Sequence, residues 1–168
     1  MSSQYLRSIR RGLSLIEVVA STMIVGLMAV AALNSLGAAT RSSQSIGNRA
    51  VALGLADELM SEILQTAYHD PSQTPVFGRE SGEPAGPRSA FDDVDDYDGW
   101  NQSPPQYQDG TNMPDRADWR HRVAVTYVVP GNPTQTAGSD LGAKRIQVIV
   151  EYRDQILAEQ VAVRTNAE

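Results

Sequence analysis

Apolar residues along this chain of 168 residues fall into three successive patterns, and each predicts a different element. From Leu13 to Leu33 they are almost continuous, with only Ser14, Glu17, Ser21 and Thr22 polar among 21 residues. At about 1.5 Å per residue, a helix of that length covers about 30 Å, the thickness of the hydrocarbon core of a bilayer. The segment predicts a single membrane crossing. Further on, Ile46, Ala50, Leu53, Ala56, Met60, Ile63 and Ala67 recur at spacings of three or four, one face of an amphipathic helix whose polar face carries Arg49, Asp57, Glu58 and Glu62. Between the two halves, residues 40–48 (TRSSQSIGN) are polar and include Gly47, which weakens a helix by roughly 1 kcal/mol relative to alanine. A kink or melted turn is predicted there. Pro71 disfavours helix at the residue before it, so the amphipathic helix is predicted to end by Tyr68 to Asp70.

Beyond Trp119 the period changes to two. Residues 122–129 (RVAVTYVV), 144–153 (KRIQVIVEYR) and 156–165 (ILAEQVAVRT) are rich in Val, Ile and Tyr and read as strands. The last two are joined by Asp154-Gln155, short enough for a hairpin, and the first two by a long loop of turn-forming residues. A three-stranded antiparallel meander with one face on the amphipathic helix follows, an α+β arrangement.

Residues 71–118 show neither period. Seven of the nine prolines lie here, and Asp70 to Asp118 holds eleven acids against three arginines, which predicts a loop-rich surface region. Its densest part, residues 91–100 (FDDVDDYDGW), suggests a calcium loop because oxygen ligands cluster in such segments. Counting an EF-hand from Asp93 puts Tyr97 at a ligand position, Asp98 where glycine is needed and Pro104 at the twelfth place, so that register fails. The remaining readings of Asp92 to Asp98 are a cation site of another geometry and a solvated acidic loop anchored by Phe91, Tyr97 and Trp100, of which the loop is the default.

Composition narrows the function. Net charge is −6, and Arg7, Arg10 and Arg11 precede every acid, so the chain after Gly12 carries −9. Such acidity without a basic patch argues against binding nucleic acid through phosphates. There are no cysteines, hence no disulfide, thiolate metal site or cysteine nucleophile. The basic flank before Leu13 places the amino terminus in the cytoplasm and the remainder across the membrane. A secretory signal peptide is the rival reading, since Gly37-Ala38-Ala39 supplies small residues, but its apolar run would be too long and would contain Glu17.

Glu17 is the informative residue. A carboxylate in hydrocarbon costs roughly 2.5 to 3.5 kcal/mol on insertion scales, so it marks either a headgroup-level position beside Arg10 and Arg11 or a function. Residues 11–18, Arg-Gly-Leu-Ser-Leu-Ile-Glu-Val, resemble the processing site of type IV prepilins and type II secretion pseudopilins: a short basic leader ending in glycine, an apolar residue, then glutamate at the fifth mature position. The resemblance implies that prepilin peptidase cuts after Gly12 and methylates the new amine of Leu13. Leu13 stands where phenylalanine is usual and Ser14 where threonine is usual, which keeps the apolar and hydroxyl characters. It further implies that Glu17, one helical turn from Leu13, is an assembly residue whose carboxylate pairs with the terminal amine of a neighbouring subunit. Such a pair sets register, because an unpaired charge there is strongly unfavourable.

Residues 51–63 (VALGLADELMSEI) are similar to the segment after the membrane helix in the minor pseudopilin I and PilV-like minor pilin group, through Ala52, Leu55, Ala56, Met60 and Glu62. The implied fold is pilin-like: a long amino-terminal α-helix, transmembrane in its first half, packed on a small antiparallel sheet of about three strands. The implied organisation is a cytoplasmic leader (1–12), a transmembrane and assembly helix (13–34), an amphipathic helix (35–70), an acidic Pro/Gly-rich loop region (71–118) and an antiparallel sheet (119–168). The implied function is that of a structural minor subunit of a type II secretion pseudopilus, helping to initiate or cap the filament. A minor pilin of a type IV pilus and a single-span protein with a small periplasmic ligand-binding domain are the alternatives. The expected partners are prepilin peptidase, other pilins or pseudopilins and an inner-membrane assembly platform. The expected location is the inner membrane in a single pass with a periplasmic carboxy-terminal domain, followed by the periplasmic filament.

Catalysis finds little support in the residues. His69 and His121 are the only histidines and lack metal-ligand spacing, and no G-x-S-x-G, phosphate-binding glycine loop or H-E-x-x-H occurs. The expectation is no enzyme, no metal site and no cofactor. Asn101-Gln102-Ser103 matches a glycosylation sequon by chance.

Overall fold

The structure, a computed structural model, describes residues 14–71, 74, 76–79 and 84–166; the leader, Gly12 and Leu13 lie outside them. The chain divides into two compact units, Met1–Ser45 and Ile46–Glu168.

In the first unit the described residues form the beginning of helix α1, which runs Leu15–Ile63. Its most apolar 18-residue window has no buried residue, and it is long and apolar enough to cross a membrane. Thr22 donates its hydroxyl to the Val18 and Val19 carbonyls at 3.0 and 2.9 Å, and Thr40 does the same to Leu36 at 3.0 Å. The hydroxyls are thereby satisfied within the helix. Residues 40–48 are helical throughout, so the melted turn expected at Gly47 is absent. One glycine costs less than breaking a ladder of helical hydrogen bonds on either side of it.

In the second unit the α1 residues Ala52, Leu55, Ala56, Leu59, Met60 and Ile63 are buried on a five-stranded antiparallel sheet. The predicted stripe was rotated relative to this face. Ile46 and Leu53 are exposed at 68% and 44%, whereas Leu55 and Leu59, outside that stripe, belong to the core. The helix also stops earlier than Tyr68 to Asp70. Its last turn narrows as the Gln65 amide bonds the Glu62 carbonyl (3.1 Å) and Thr66 gives both its amide and its hydroxyl to Ile63. Ala67 then pairs with the acidic segment, donating to the Asp92 carbonyl and accepting from the Val94 amide, both at 3.1 Å. The helix thus ends at Ile63 and the chain is paired with the acidic segment at Ala67, before Pro71 is reached.

The sheet order is β1-β2-β4-β5, with β3 also on β2: β1 Asn101–Gln102, β2 Trp119–Val129, β3 Asn132–Thr136, β4 Ala143–Tyr152 and β5 Gln155–Thr165. The three expected strands are β2, β4 and β5. Two short strands raise the expected three to five. β1 lies in the region read as loop and β3 in the breaker-rich link, where Pro130-Gly131, with Gly131 at φ 82°, turns the chain back on β2. Strand β2 alternates from Trp119 to Thr126, burying Trp119, His121, Val123 and Val125, and breaks step at Tyr127 so that Val128 is buried; Val123 and Val125 join Ile146, Val148 and Val150 of β4 beneath α1. The β4–β5 turn is Arg153-Asp154, one residue before the predicted pair, with both at positive φ (50° and 61°) as a type I′ turn requires.

Candidate functional site

Glu17 lies in the first turn of α1, where a carboxylate is favoured by the partial positive charge of the helix amino terminus. Its side chain is exposed, its amide bonds the Ser14 carbonyl at 2.9 Å, and among the described residues no hydrogen bond or ion pair reaches its carboxylate. The structure therefore places Glu17 at the start of an unburied apolar helix, with Leu15 and Ile16 exposed at 82% and 75% beside it. Its expected partner amine, on Leu13, falls outside the described residues, as does Gly12, the expected processing glycine. What this arrangement shows is an exposed apolar helix with one acid in its first turn, a charge that needs a cation wherever the helix is buried.

The second chemically loaded region is the acidic segment, and here the solvated loop was the wrong expectation. Asp93, Asp95 and Asp96 are buried, as are the anchors Phe91, Tyr97 and Trp100. Phe91 meets Tyr97 and Trp100 edge-on, at 5.0 and 5.8 Å between ring centroids. The carboxylates are spent on neighbouring backbone. Asp93 Oδ1 accepts the amides of Asp95 (2.8 Å) and Asp96 (3.3 Å), and Asp98 Oδ1 accepts the amide of Val125 on β2 (2.8 Å). Among the described residues no group of three or more acids or histidines is arranged to hold a metal ion.

Two buried ion pairs flank this segment. Arg88, almost fully buried, donates Nε to Glu62 Oε1 (2.8 Å) and Nη2 to Glu62 Oε2 (3.0 Å) and to the Gln106 carbonyl (3.1 Å). Its guanidinium lies over the Trp100 ring, and the Tyr97 hydroxyl donates to Glu62 Oε1 at 3.1 Å. Glu62, assigned to the polar face of the helix, is thus an internal counterion. On the other side Lys144, the first β4 residue after Ala143, is fully buried and contacts Asp95 Oδ1 and the Tyr68 carbonyl. Asp95 Oδ2 accepts the Gly78 amide at 3.1 Å. Burial, and then the charge of Asp95, push the Asp93 carboxyl well above the usual range.

Neither pair was read from the sequence. The available signals were that Lys144 is the chain's sole lysine and Arg88 one of three arginines among many acids. Of the histidines, His69 sits 3.4 Å from Asp140, which also accepts the Tyr68 hydroxyl at 2.7 Å. His121 is buried, and among the described residues neither ring nitrogen has a hydrogen-bond partner. Burial, and then the nearby Arg88 charge, push its pKa down to about 4. Two open depressions, of about 680 Å³ beside Val51, Met113, Trp119 and Tyr152 and about 750 Å³ beside Glu58, Gln65, Tyr107 and Asp109, are lined by neither histidine.

Compared with protein-family models, curated proteins and solved structures, the chain matches none.

Proposed function

We propose that this chain is a membrane-anchored structural subunit of a pilus-like filament, a minor pseudopilin of a type II secretion pseudopilus that helps to initiate or cap it. The observation that carries this reading is the start of α1: an unburied apolar helix long enough to span a membrane, with a single acid, Glu17, in its first turn. A helix built only to anchor a domain gains nothing from that acid, whereas a helix that must pack against copies of itself gains register from it. The leader sequence supplies the complementary cation: cleavage after Gly12 removes Arg7, Arg10 and Arg11 and leaves the amine of Leu13 one turn from Glu17. The sheet domain then serves as a folded head, not as an enzyme. The related reading, a minor pilin of a type IV pilus, uses the same helix and the same processing.

Mass spectrometry of the protein from its native membrane tests this directly. The expected chain begins at Leu13 and carries a methylated amine, and Gly12→Val blocks the cleavage without preventing membrane insertion. An intact leader in a cell that contains the peptidase refutes the reading and leaves a single-span protein with a small external domain.

A further inference from the structure

We propose that Lys144 and Asp95 form an intramolecular isopeptide bond, with Asp93 as the acid that shuttles the proton. Four features converge on the pair. Lys144 is the sole lysine of the chain, beside 13 arginines and two histidines, and its amine sits in contact with the Asp95 carboxylate with both side chains buried. The amine is enclosed by aromatic faces, the Tyr68 ring centroid at 4.4 Å and that of Tyr127 at 5.9 Å, which keep water from the reacting atoms. The second Asp95 oxygen, Oδ2, already accepts the Gly78 amide, a donor placed where negative charge develops when the carboxyl carbon is attacked. Asp93 stands two residues before Asp95 and takes the Asp95 amide on its Oδ1 at 2.8 Å, and its burial beside that second acid favours its protonated form.

The reaction is a condensation and needs no other reagent. Within the ion pair a proton passes from Nζ to the Asp95 carboxylate, giving a neutral amine and a neutral carboxylic acid. The Nζ lone pair attacks Cγ, the C–N bond forms, and the developing oxyanion at Oδ2 is held by the Gly78 amide. Asp93 gives its proton to Oδ1 as the C–O bond breaks and recovers one from Nζ, so that water leaves and Asp93 ends protonated as it began. The product fits the surroundings without rearranged partners: its one N–H faces the Tyr68 carbonyl that Lys144 now contacts, and its oxygen keeps the Gly78 amide. The driving force is the exchange of two charges, costly to hold in a low-dielectric interior, for one neutral and fully hydrogen-bonded amide. The bond ties the acidic segment to the start of β4 across 49 residues and does not depend on the filament reading.

Peptide mapping of the unfolded full-length chain decides it. The expected result is a tryptic peptide containing Asp95 joined to one containing Lys144, no side-chain labelling by an amine-reactive reagent, and a chain mass lower by one water than the sequence requires. The joined peptide is the decisive readout, because dehydration at Asp98-Gly99 or Asp109-Gly110 also removes one water. Lys144→Arg and Asp95→Ala abolish the joined peptide, and Asp93→Ala reduces its yield at least ten-fold in protein that still folds. Separate peptides with a reactive lysine in the wild-type chain overturn the bond, a result that depends on no variant folding. An Asp93→Ala chain that is joined as fully as wild type overturns the assigned role of Asp93.

Discussion

Glu62→Gln preserves the volume and helix propensity of the side chain and removes only its charge. In this protein that leaves the Arg88 guanidinium, 2% exposed, without its counterion and weakens two charge-assisted hydrogen bonds at 2.8 and 3.0 Å. Breaking a buried pair by removing one partner costs about 3 to 5 kcal/mol, because the remaining charge has no water to turn to. The Glu62 side chain keeps 14% exposure, and the Gln106 carbonyl and the Trp100 ring still face Arg88, so the lower end, about 3 kcal/mol, is expected. The contrast is Asp118→Asn, which breaks the Arg153 pair on the surface, 69% and 49% exposed, and should cost under about 1 kcal/mol. Urea unfolding of the full chain in detergent, followed by fluorescence of the buried Trp100 and Trp119, measures both. If Glu62→Gln costs no more than Asp118→Asn, the internal counterion assignment fails. The double variant Glu62→Leu with Arg88→Met should recover part of the loss, since no charge is then stranded.

The pH dependence should carry the mark of His121. Its folded pKa, about 4 against an ordinary value of 6.5, means that the unfolded chain takes up a proton that the folded chain refuses. Its contribution is complete above the ordinary value and is lost as pH falls toward 4, by about 2 kcal/mol between pH 7 and 4.5. The urea midpoint of wild type should fall over that window and that of His121→Gln should fall less; parallel curves would exclude His121 as the cause. Asp154→Gly should stabilise the β4–β5 hairpin by roughly 0.5 to 1 kcal/mol, because Asp154 holds φ at 61° and loses only an exposed ion pair to Arg120. An unchanged or lower urea midpoint would show that the turn is not strained. If the proposed filament role holds, Glu17→Ala should leave cleavage after Gly12 intact but reduce incorporation, with Glu17→Asp intermediate, read by co-purification with the proposed partner subunits. Equal incorporation of wild type and alanine variant would return Glu17 to the role of a headgroup-level acid.

Much of the architecture was legible in one dimension because it rests on periodicity. An apolar run with only four polar residues among 21 predicts a long helix, so the start of α1 follows from residues 13 to 33 alone. β2, β4 and β5 occur where the patterns of residues 122–129, 144–153 and 156–165 lie, and alternation turns one face of β2 and β4 inward, whereas β5 leaves Ile156, Val161 and Val163 exposed. The rotation of the helix was decided elsewhere. Leu53 and Leu55 are equally apolar, and only the shape of the sheet beneath them buries one and leaves the other at the surface. The acidic segment shows the limit most clearly, since five aspartates in ten residues have the composition of a solvated loop. Yet Asp93, Asp95 and Asp96 are internal, and partners distant in sequence hold the segment: Lys144 on β4 for Asp95, the Val125 amide on β2 for the half-buried Asp98, and Ala67 after the helix for the backbone at Asp92 and Val94. Local pattern records how a residue prefers to face water, whereas a charge goes inside only when another part of the chain brings it a counterion, and that meeting exists only in the folded state.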